Sequence, residues 1–272
     1  MAQTAARHPD APIPGDGYVQ SFARGLGVIR SFSAEAPEQT LTGVAERSGL
    51  SRAGARRILL TLQTLGYVES DGKLFRLTPR ILELGMAYLS SMPLWHLAGP
   101  VMERLSEQLG ESCSAAVLDG TDIVYVMRVH THQILSVNLG VGSRLPAFCT
   151  SMGRVLLASL DDAAVRERLQ ASDRQPRTRH TVTAVPALLA EVHKARRQGW
   201  ALVDQELEDG LVSMAVAVRD ASGRAVAALN VSGHASRHSA TQMRRLMLPA
   251  LQAAALDMSQ LLQGQVRRGD GR

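Results

Sequence analysis

Basic side chains between residues 40 and 76 have a spacing that is typical of DNA contact. Arg52 and Arg56 lie four residues apart, so a helix that begins after Ser51 would present both on one side, with Arg57 beside them. Arginine grips guanine edges and phosphates, and the first turn of a recognition helix is the part that enters the major groove. We therefore expect DNA binding, with contacts from Arg24, Thr42, Ser51, Arg52, Arg56, Arg57, Lys73 and Arg76.

Two short helices joined by a tight turn are expected to position these arginines. Thr40 or Thr42 can cap the first helix. Gly49 favours the positive φ that the chain needs where this helix stops, and Ser51 can cap the second helix. The second helix has an apolar stripe at helical spacing, formed by Ala55, Ile58, Leu59, Leu62 and Leu65.

A β-hairpin is expected after the second helix. Residues 67–69 and 73–77 read as strands, with Asp71-Gly72 as the turn signal between them, and a helix at 22–32 would pack behind the helix pair. This order of parts is that of a winged helix-turn-helix. An ordinary helical hairpin with solvated arginines is the alternative, and the wing together with the basic first turn favours DNA binding over it.

Composition places the chain among globular proteins and excludes several classes. Its 272 residues are 45% hydrophobic and 20% charged, and the net charge of +5 suits a polyanionic partner without identifying one. Cys113 and Cys149 are too few for a disulfide framework or a Cys-rich zinc site. No apolar run could span a bilayer, and the first 17 residues lack the apolar core of a signal peptide. We therefore expect a cytoplasmic protein with no membrane partner.

The chain is expected to divide into a tail, two domains and a linker. Residues 1–17 are rich in Pro, Gly and Ala and are expected to be disordered. Residues 18–78 form the winged helix-turn-helix. Residues 79–93 form a linker helix that is too apolar to stay uncovered, and a second subunit is the natural candidate for covering it. Residues 94–265 form the second domain.

The second domain is predicted to be α+β, with a six-stranded antiparallel sheet flanked by helices. Its strand-like segments are 114–118, 123–129, 134–138, 200–204, 211–219 and 224–232. A loop at 140–150 leads into a helix that begins near Ser151. A further helix runs from Pro186 to Gly199, and a long helix at 239–262 completes the fold.

Seven stretches resemble the isocitrate-lyase-regulator (IclR-type) family of bacterial transcription factors, namely 22–29, 50–57, 65–68, 75–85, 144–158, 204–213 and 228–233. Within that family the chain looks closest to regulators of aromatic-acid breakdown through the β-ketoadipate route. The resemblance implies a winged helix-turn-helix, a linker helix and a GAF/PAS-like domain for effector binding and oligomerisation. It also implies homodimers, often paired into tetramers, on palindromic operators in double-stranded DNA. RNA polymerase is expected as a further partner.

The resemblance also implies which side chains line an effector pocket. Carried over position by position, they are Ile134, Val137, Ser151, Met152, Asp204, Glu206, Ser213, Asn230 and Ser232. An organic acid needs its charge matched, so Arg128, His130 and Arg144 are candidates, although each could be a strand-end or loop residue that faces water. The chain departs from the family at Gly153-Arg154, where many members have Gly-Lys, and at Asn230, where serine is common in relatives that bind small keto acids.

Catalytic motifs are absent from the sequence, and we expect no enzyme, no cofactor and no metal site. A hydrolase that uses Ser213, His234 and Asp204 is one alternative, although their spacing does not support a triad. A metal site would use His130, His132 and Cys149. A DNA-binding protein with a purely structural dimerisation domain is the other alternative. The preferred hypothesis is a transcriptional regulator that senses a small organic acid, an aromatic acid or a β-ketoadipate-type catabolite, and controls catabolic genes.

Overall fold

The computed structural model describes residues 15, 17–91, 93–130 and 139–269, without the side chains at 93, 95, 96 and 264–269. The chain divides into two compact units, with the division after Ser91. The expected tail at 1–17 falls almost wholly outside the described residues, as do the expected strand 134–138 and the candidate pocket residues Ile134 and Val137. Within the described part of the chain, no helix is long and apolar enough to cross a membrane.

The N-terminal unit is a winged helix-turn-helix, as predicted. Its elements are α1 Gln20–Ser31, β1 Glu38–Thr40, α2 Leu41–Ser48, α3 Arg52–Thr64, β2 Val68–Ser70, β3 Leu74–Leu77, a 3-10 turn at Pro79–Ile81 and α4 Leu82–Ser91. The strands form a three-stranded antiparallel sheet in the order β1-β3-β2. Strand β1 has no sequence signal of its own because three residues are too few to show alternation.

Side chains near the helix ends set the limits of α2 and α3. Thr40 Oγ1 accepts a hydrogen bond from Gly43 N at 3.2 Å, and Ser51 Oγ accepts one from Gly54 N at 3.2 Å, so both predicted caps are confirmed. Gly49, which lies between the helices, has a φ of 68°, a conformation that glycine adopts without a steric penalty. The helices then bury Val28, Val44, Ala45, Ala55, Leu59, Leu62 and Val68 in one core.

The C-terminal unit contains a six-stranded antiparallel sheet, which confirms the predicted α+β class. Its elements are α5 Pro93–Leu109, β4 Ser112–Asp119, β5 Asp122–Val129, β6 Arg144–Pro146, a 3-10 turn at Ala147–Cys149, α6 Ser151–Leu157, α7 Asp162–Ala171, α8 Val185–Gln198, β7 Trp200–Asp204, β8 Leu211–Arg219, β9 Ala225–His234, α9 Ala240–Leu246 and α10 Leu248–Gly269. The order of strands across the sheet is β6-β5-β4-β9-β8-β7.

Helices cover both faces of this sheet. On one face, α6 and α8 pack over a floor of small side chains, Ala116, Ala201, Ala215 and Ala228. Because side chains alternate along a strand, Val212 and Met214 of β8 point to the other face, where α5 and α10 pack. The alanine floor lets α6 lie close to the sheet, and the candidate site lies at the start of this helix.

The structure differs from the sequence expectation in three places of the C-terminal unit. Strand β6 forms inside the predicted loop 140–150, where its three residues pair with 122–124 of β5. Helix α7 has no counterpart among the predicted elements, since its hydrophobic periodicity is weak. The predicted helix at 239–262 ends after Leu246 and restarts, because the ring of Pro249 excludes the carbonyl group four residues earlier from a continuous helix.

Candidate functional site

The exposed side of α3 carries two of the predicted DNA-contacting arginines. Arg52 and Arg56 lie one turn apart on α3, and both are exposed. Successive residues of an α-helix are about 100° apart around its axis. Arg57 therefore points to a different side of α3 from Arg56.

Arg57 lines an apolar groove between α1 and α3, and Arg24 lines it as well. The groove has a volume of about 580 Å³, and its walls include Phe22, Leu26 and Leu65. The structure thus places Arg24 and Arg57 at the groove, whereas Arg52 and Arg56 do not line it. Thr42 is exposed in the first turn of α2, while the hydroxyl of Ser51 is engaged as the cap of α3.

Lys73 lies exposed at the tip of the wing. The turn that holds it is fixed by Asp71, whose Oδ1 accepts hydrogen bonds from Leu74 N at 2.7 Å and Lys73 N at 2.8 Å. These two bonds lower the pKa of the Asp71 carboxyl group, because they stabilise its charged form. The wing tip therefore presents a cation on a well-defined turn.

Arg76 is occupied by ion pairs within the sheet. Its guanidinium group lies 2.7 Å from Glu69 and 3.1 Å from Glu38, and the three residues are direct neighbours across β2, β3 and β1. Two carboxylates raise the pKa of Arg76 and neutralise its charge locally. Arg76 thus braces the three strands, and its predicted contact with the DNA backbone stays a prediction.

The C-terminal unit contains a cavity of about 250 Å³ between the sheet, the start of α6 and the loop before β8. Five predicted effector-binding residues, Ser151, Met152, Ser213, Asn230 and Ser232, lie together on its wall. The remaining lining residues are Tyr125, Arg128, Leu139, Thr150, Leu207, Glu208, Asp209, Leu211 and His234.

Strand register explains why polar groups of β8 and β9 meet in this cavity. Ser213 is paired with Ser232, and Asn230 and His234 lie two residues to either side of Ser232 on β9. Side chains two residues apart share one face of a strand, so these groups form one polar row. Asn230 Oδ1 accepts a hydrogen bond from Ser114 N at 3.1 Å, which leaves the amide N–H groups of Asn230 to serve as donors.

A β-bulge brings Tyr125 and Arg128 to the same side of β5. Tyr125 pairs with Ala116 whereas Met127 pairs with Ala115, so β5 has one residue more than β4 at this point. In a regular strand, two residues three positions apart point to opposite faces. The extra residue of the bulge cancels that difference, and both Tyr125 and Arg128 line the cavity.

Arg128 supplies positive charge to the cavity. Its Nε donates a hydrogen bond to His130 Nδ1 at 3.3 Å, and among the described residues no carboxylate pairs with its guanidinium group. Burial raises the pKa of Tyr125 to about 12, and the positive charge of Arg128 opposes part of that rise. The phenol is therefore neutral at physiological pH and can donate a hydrogen bond to an anion.

Ser151, the first residue of α6, lies in the cavity wall. It is 1% exposed, and its Oγ has no hydrogen-bond partner among the residues that the structure describes. The helix lies close to the preceding turn because residue 153 is glycine, where a Cβ would be 2.2 Å from Ala147 O. A buried hydroxyl without a partner is costly, so a bound molecule that pairs with Ser151 gains affinity from it.

The loop from 205 to 211 forms the third wall of the cavity. Gln205 has a φ of 58°, a strained conformation for a residue with a side chain, and its Oε1 accepts a hydrogen bond from Gly210 N at 3.0 Å. Gly210 has a φ of 81°, and a Cβ there would lie 2.6 Å from His234 Nε2. The loop is therefore a closed turn, and its conformation depends on these contacts.

Three predicted effector-binding residues do not line the cavity. Arg144 lies exposed on the edge strand β6, where it forms ion pairs with Asp119 and Asp122. Asp204 is exposed at the end of β7. Glu206 is buried, but its carboxylate faces Arg154 at 2.7 Å. The expectation of direct contact is corrected for these three residues, because each has another neighbour or faces away.

The catalytic and metal alternatives gain no support from this geometry. Ser213 and His234 share the cavity wall, but Asp204 does not line it, and His234 Nδ1 accepts a hydrogen bond from Ser236 N at 3.2 Å. His132 lies outside the described residues. Within the described part of the chain, no three His, Cys, Asp or Glu side chains gather as a metal site.

Both units match known families. Residues 21–72 match the IclR helix-turn-helix domain, and residues 86–260 match the bacterial transcriptional regulator IclR C-terminal domain. The Pca regulon regulatory protein of Pseudomonas putida is 46% identical over 248 residues, which cover 91% of this chain and 85% of that protein.

Two solved structures are also similar to this chain. RHA06195 from Rhodococcus sp. RHA1 is 48% identical, with a TM-score of 0.80 over 90% of this chain and 98% of that chain. An IclR homolog from Microbacterium hydrocarbonoxydans, solved in complex with 4-hydroxybenzoate, is 26% identical, with a TM-score of 0.78 over 89% of this chain and 98% of that chain. The matching families are regulators rather than enzymes, so the hydrolase alternative is wrong. The chain belongs to the IclR family of bacterial transcriptional regulators.

Proposed function

We propose that this regulator binds a small organic acid in the cavity and that binding changes its affinity for the operator of catabolic genes. The acid is an aromatic acid or a β-ketoadipate-type catabolite. One observation carries the proposal. Arg128, which has no carboxylate partner among the described residues, lines the same cavity as Ser151, whose buried Oγ has no hydrogen-bond partner among them. A carboxylate is the group that can accept hydrogen bonds from both.

The size and lining of the cavity suit one small acid. Its volume is about 250 Å³, whereas a cavity of about 150 Å³ is enough for benzene. The difference leaves room for a carboxylate and one or two polar substituents. Met152, Leu139 and Leu207 can pack against a ring or a short carbon chain, and Ser213 and Asn230 can pair with a hydroxyl or keto group.

The positive charge of Arg128 sets the orientation of such an anion. Arg128 lies on β5 and attracts a carboxylate, whereas the loop residues Glu208 and Asp209 bring no positive charge to the cavity wall. We therefore propose that the carboxylate lies towards β5 and the polar substituents towards β8 and β9. Two relatives support the choice of ligand: one regulates a Pca regulon, and one was solved with 4-hydroxybenzoate.

For the DNA interface, we propose that Arg52, Arg56 and Lys73 contact the operator. The arginines lie one turn apart on α3 and the lysine lies at the wing tip, and all three are exposed cations. Thr42 and Ser51 lie in or next to the first turn of a helix, where backbone N–H groups favour phosphate. Arg24 and Arg57 line the α1/α3 groove, so we do not propose them as contacts to the bases.

We propose further that the protein is a cytoplasmic homodimer, able to pair into a tetramer, on a palindromic operator. Helix α4 exposes Leu82, Leu84, Met86 and Tyr88 by 47–66%. These apolar side chains of one copy can cover the apolar α1/α3 groove of a second copy. A two-fold dimer matches the two half-sites of a palindromic operator. Met86→Glu puts a charge on the apolar surface of α4, so sedimentation velocity should show a larger fraction of monomer for this variant than for wild type.

RNA polymerase is proposed as the partner through which the bound regulator acts.

The effector proposal is tested by melting the protein with protocatechuate, 4-hydroxybenzoate and β-ketoadipate. An acid that binds only the folded state raises the melting temperature, because it adds about 2.7 kcal/mol of stability at 100 times its Kd. Ser151→Ala should reduce the rise. Ser159→Ala is the matched control, since that hydroxyl binds Leu156 O outside the cavity. No rise with any acid would contradict the proposal and favour a purely structural second domain.

A further inference from the structure

We infer that Arg154 and Glu206 form a positioning pair, which sets effector affinity by holding the 205–211 loop against α6 without touching the effector. The inference rests on the proposed use of the cavity as an effector site. Arg154 Nη2 lies 2.7 Å from Glu206 Oε2. Neither residue is part of the cavity wall.

The pair connects two walls of the cavity through very short stretches of chain. Arg154 lies on α6, two residues after Met152, which lines the cavity. Glu206 comes directly before Leu207 and Glu208, which line it from the other side. Movement of either ion-pair partner therefore moves side chains that would contact the effector.

Further hydrogen bonds hold both Arg154 and Glu206 in place. Arg154 Nε donates a hydrogen bond to Phe148 O at 3.2 Å, which holds the guanidinium group to the turn before α6. Glu206 Oε2 also accepts a hydrogen bond from Val182 N at 3.1 Å, and Glu206 O accepts one from Thr181 Oγ1 at 2.6 Å. The pair is thus the link in a network that joins α6, the segment before α8 and the loop.

Burial makes this link consequential. Arg154 is 2% exposed and Glu206 is 7% exposed, so removal of either partner leaves a charge inside the protein without its counter-charge. A buried ion pair adds little to stability compared with apolar packing, but it can specify one conformation. Here the specified conformation includes Gln205, whose strained φ of 58° must be held by its surroundings.

Loss of the pair should free the loop, so that the effector must order it on binding. Ordering side chains at a binding site weakens affinity, and for the four lining residues of the loop the effect is roughly ten-fold or more. The test uses the full-length protein and three variants: Arg154→Met removes the charge, Arg154→Lys keeps it, and Glu206→Gln keeps the shape of its side chain. Val165→Ala is the control, since it opens the same buried core from α7, away from the cavity.

Two measurements separate positioning from general destabilisation. Calorimetry gives the Kd for 4-hydroxybenzoate, protocatechuate and β-ketoadipate, and hydrogen exchange reports on the amides of 207–211. Arg154→Met and Glu206→Gln should weaken acid binding by roughly ten-fold and speed exchange in the loop. Arg154→Lys should stay within about three-fold of wild type, while Val165→Ala should lower the melting temperature and leave both measurements unchanged.

The inference and the proposed function fail in different ways. If wild type binds none of the acids, the proposed effector site fails, whereas exchange in the loop still reports on positioning. If wild type binds but Glu206→Gln and Arg154→Met bind equally well, the positioning pair is refuted. It is refuted equally if Val165→Ala, at the same loss of melting temperature, weakens binding as much as they do.

Discussion

Replacement of Arg128 by methionine should weaken acid binding strongly while leaving the fold intact. Methionine keeps most of the length and apolar bulk of the side chain and removes only its charge and donors. Arg128 is half-buried, and its hydrogen bond to His130 Nδ1 is long, at 3.3 Å. Loss of this hydrogen bond therefore costs the folded state little stability, and the melting temperature without ligand should stay close to that of wild type.

The expected magnitude follows from the charge. Two unit charges about 4 Å apart attract by about 4 kcal/mol at an effective dielectric constant of about 20. Both groups lose part of their hydration, so a charge-assisted hydrogen bond contributes about 1.5–3 kcal/mol net. That corresponds to a Kd that is roughly 10- to 150-fold higher in Arg128→Met.

Isothermal titration with the acid that stabilises wild type measures this change. Arg144→Met is the matched control, because Arg144 pairs with Asp119 and Asp122 outside the cavity. The Kd of this variant for the acid should equal that of wild type. A neutral analogue such as 4-hydroxybenzamide should bind wild type and Arg128→Met about equally. The reasoning is refuted if Arg128→Met binds the acid as tightly as wild type, or if Arg144→Met loses more affinity.

Three further outcomes are expected. Gly153→Ala places a methyl group 2.2 Å from Ala147 O, so α6 must shift and the free energy of unfolding in urea should fall by about 1–3 kcal/mol; an unchanged midpoint would contradict the close approach. In anisotropy titrations with operator DNA, Arg56→Ala should weaken binding and lower the salt slope by about one, whereas Arg57→Ala should do neither, and equal losses would place both on the DNA. Burial raises the pKa of Cys113 to about 12 and of Cys149 to about 11, so the unfolded thiols ionise first and the free energy of unfolding should fall as pH rises above about 9. Replacement of both cysteines by alanine should flatten that fall in urea titrations between pH 7 and 10, and an equally steep fall would show that other groups cause it.

Local chemistry determined the N-terminal unit from the sequence alone. The caps at Thr40 and Ser51 act on backbone groups three residues away, and the positive φ of Gly49 depends only on the absence of a side chain. Such interactions are complete within one turn of chain, so residue types and spacing suffice to predict them. The same holds for the end of α8 at Gly199 and for the hairpin signal in the wing.

The tertiary structure alone decided which side chains meet in the cavity. The bulge in β5 turned Arg128 towards the polar row of β9, although strand alternation gave no sign of it. Arg144, which the need for a positive charge suggested, and Glu206, which the family pattern suggested, have partners elsewhere. The physical reason is that the walls come from strands, a helix and a loop far apart in the chain, and local periodicity does not encode their register or distance. The sequence thus specified the elements of this regulator, and packing between distant elements specified its site.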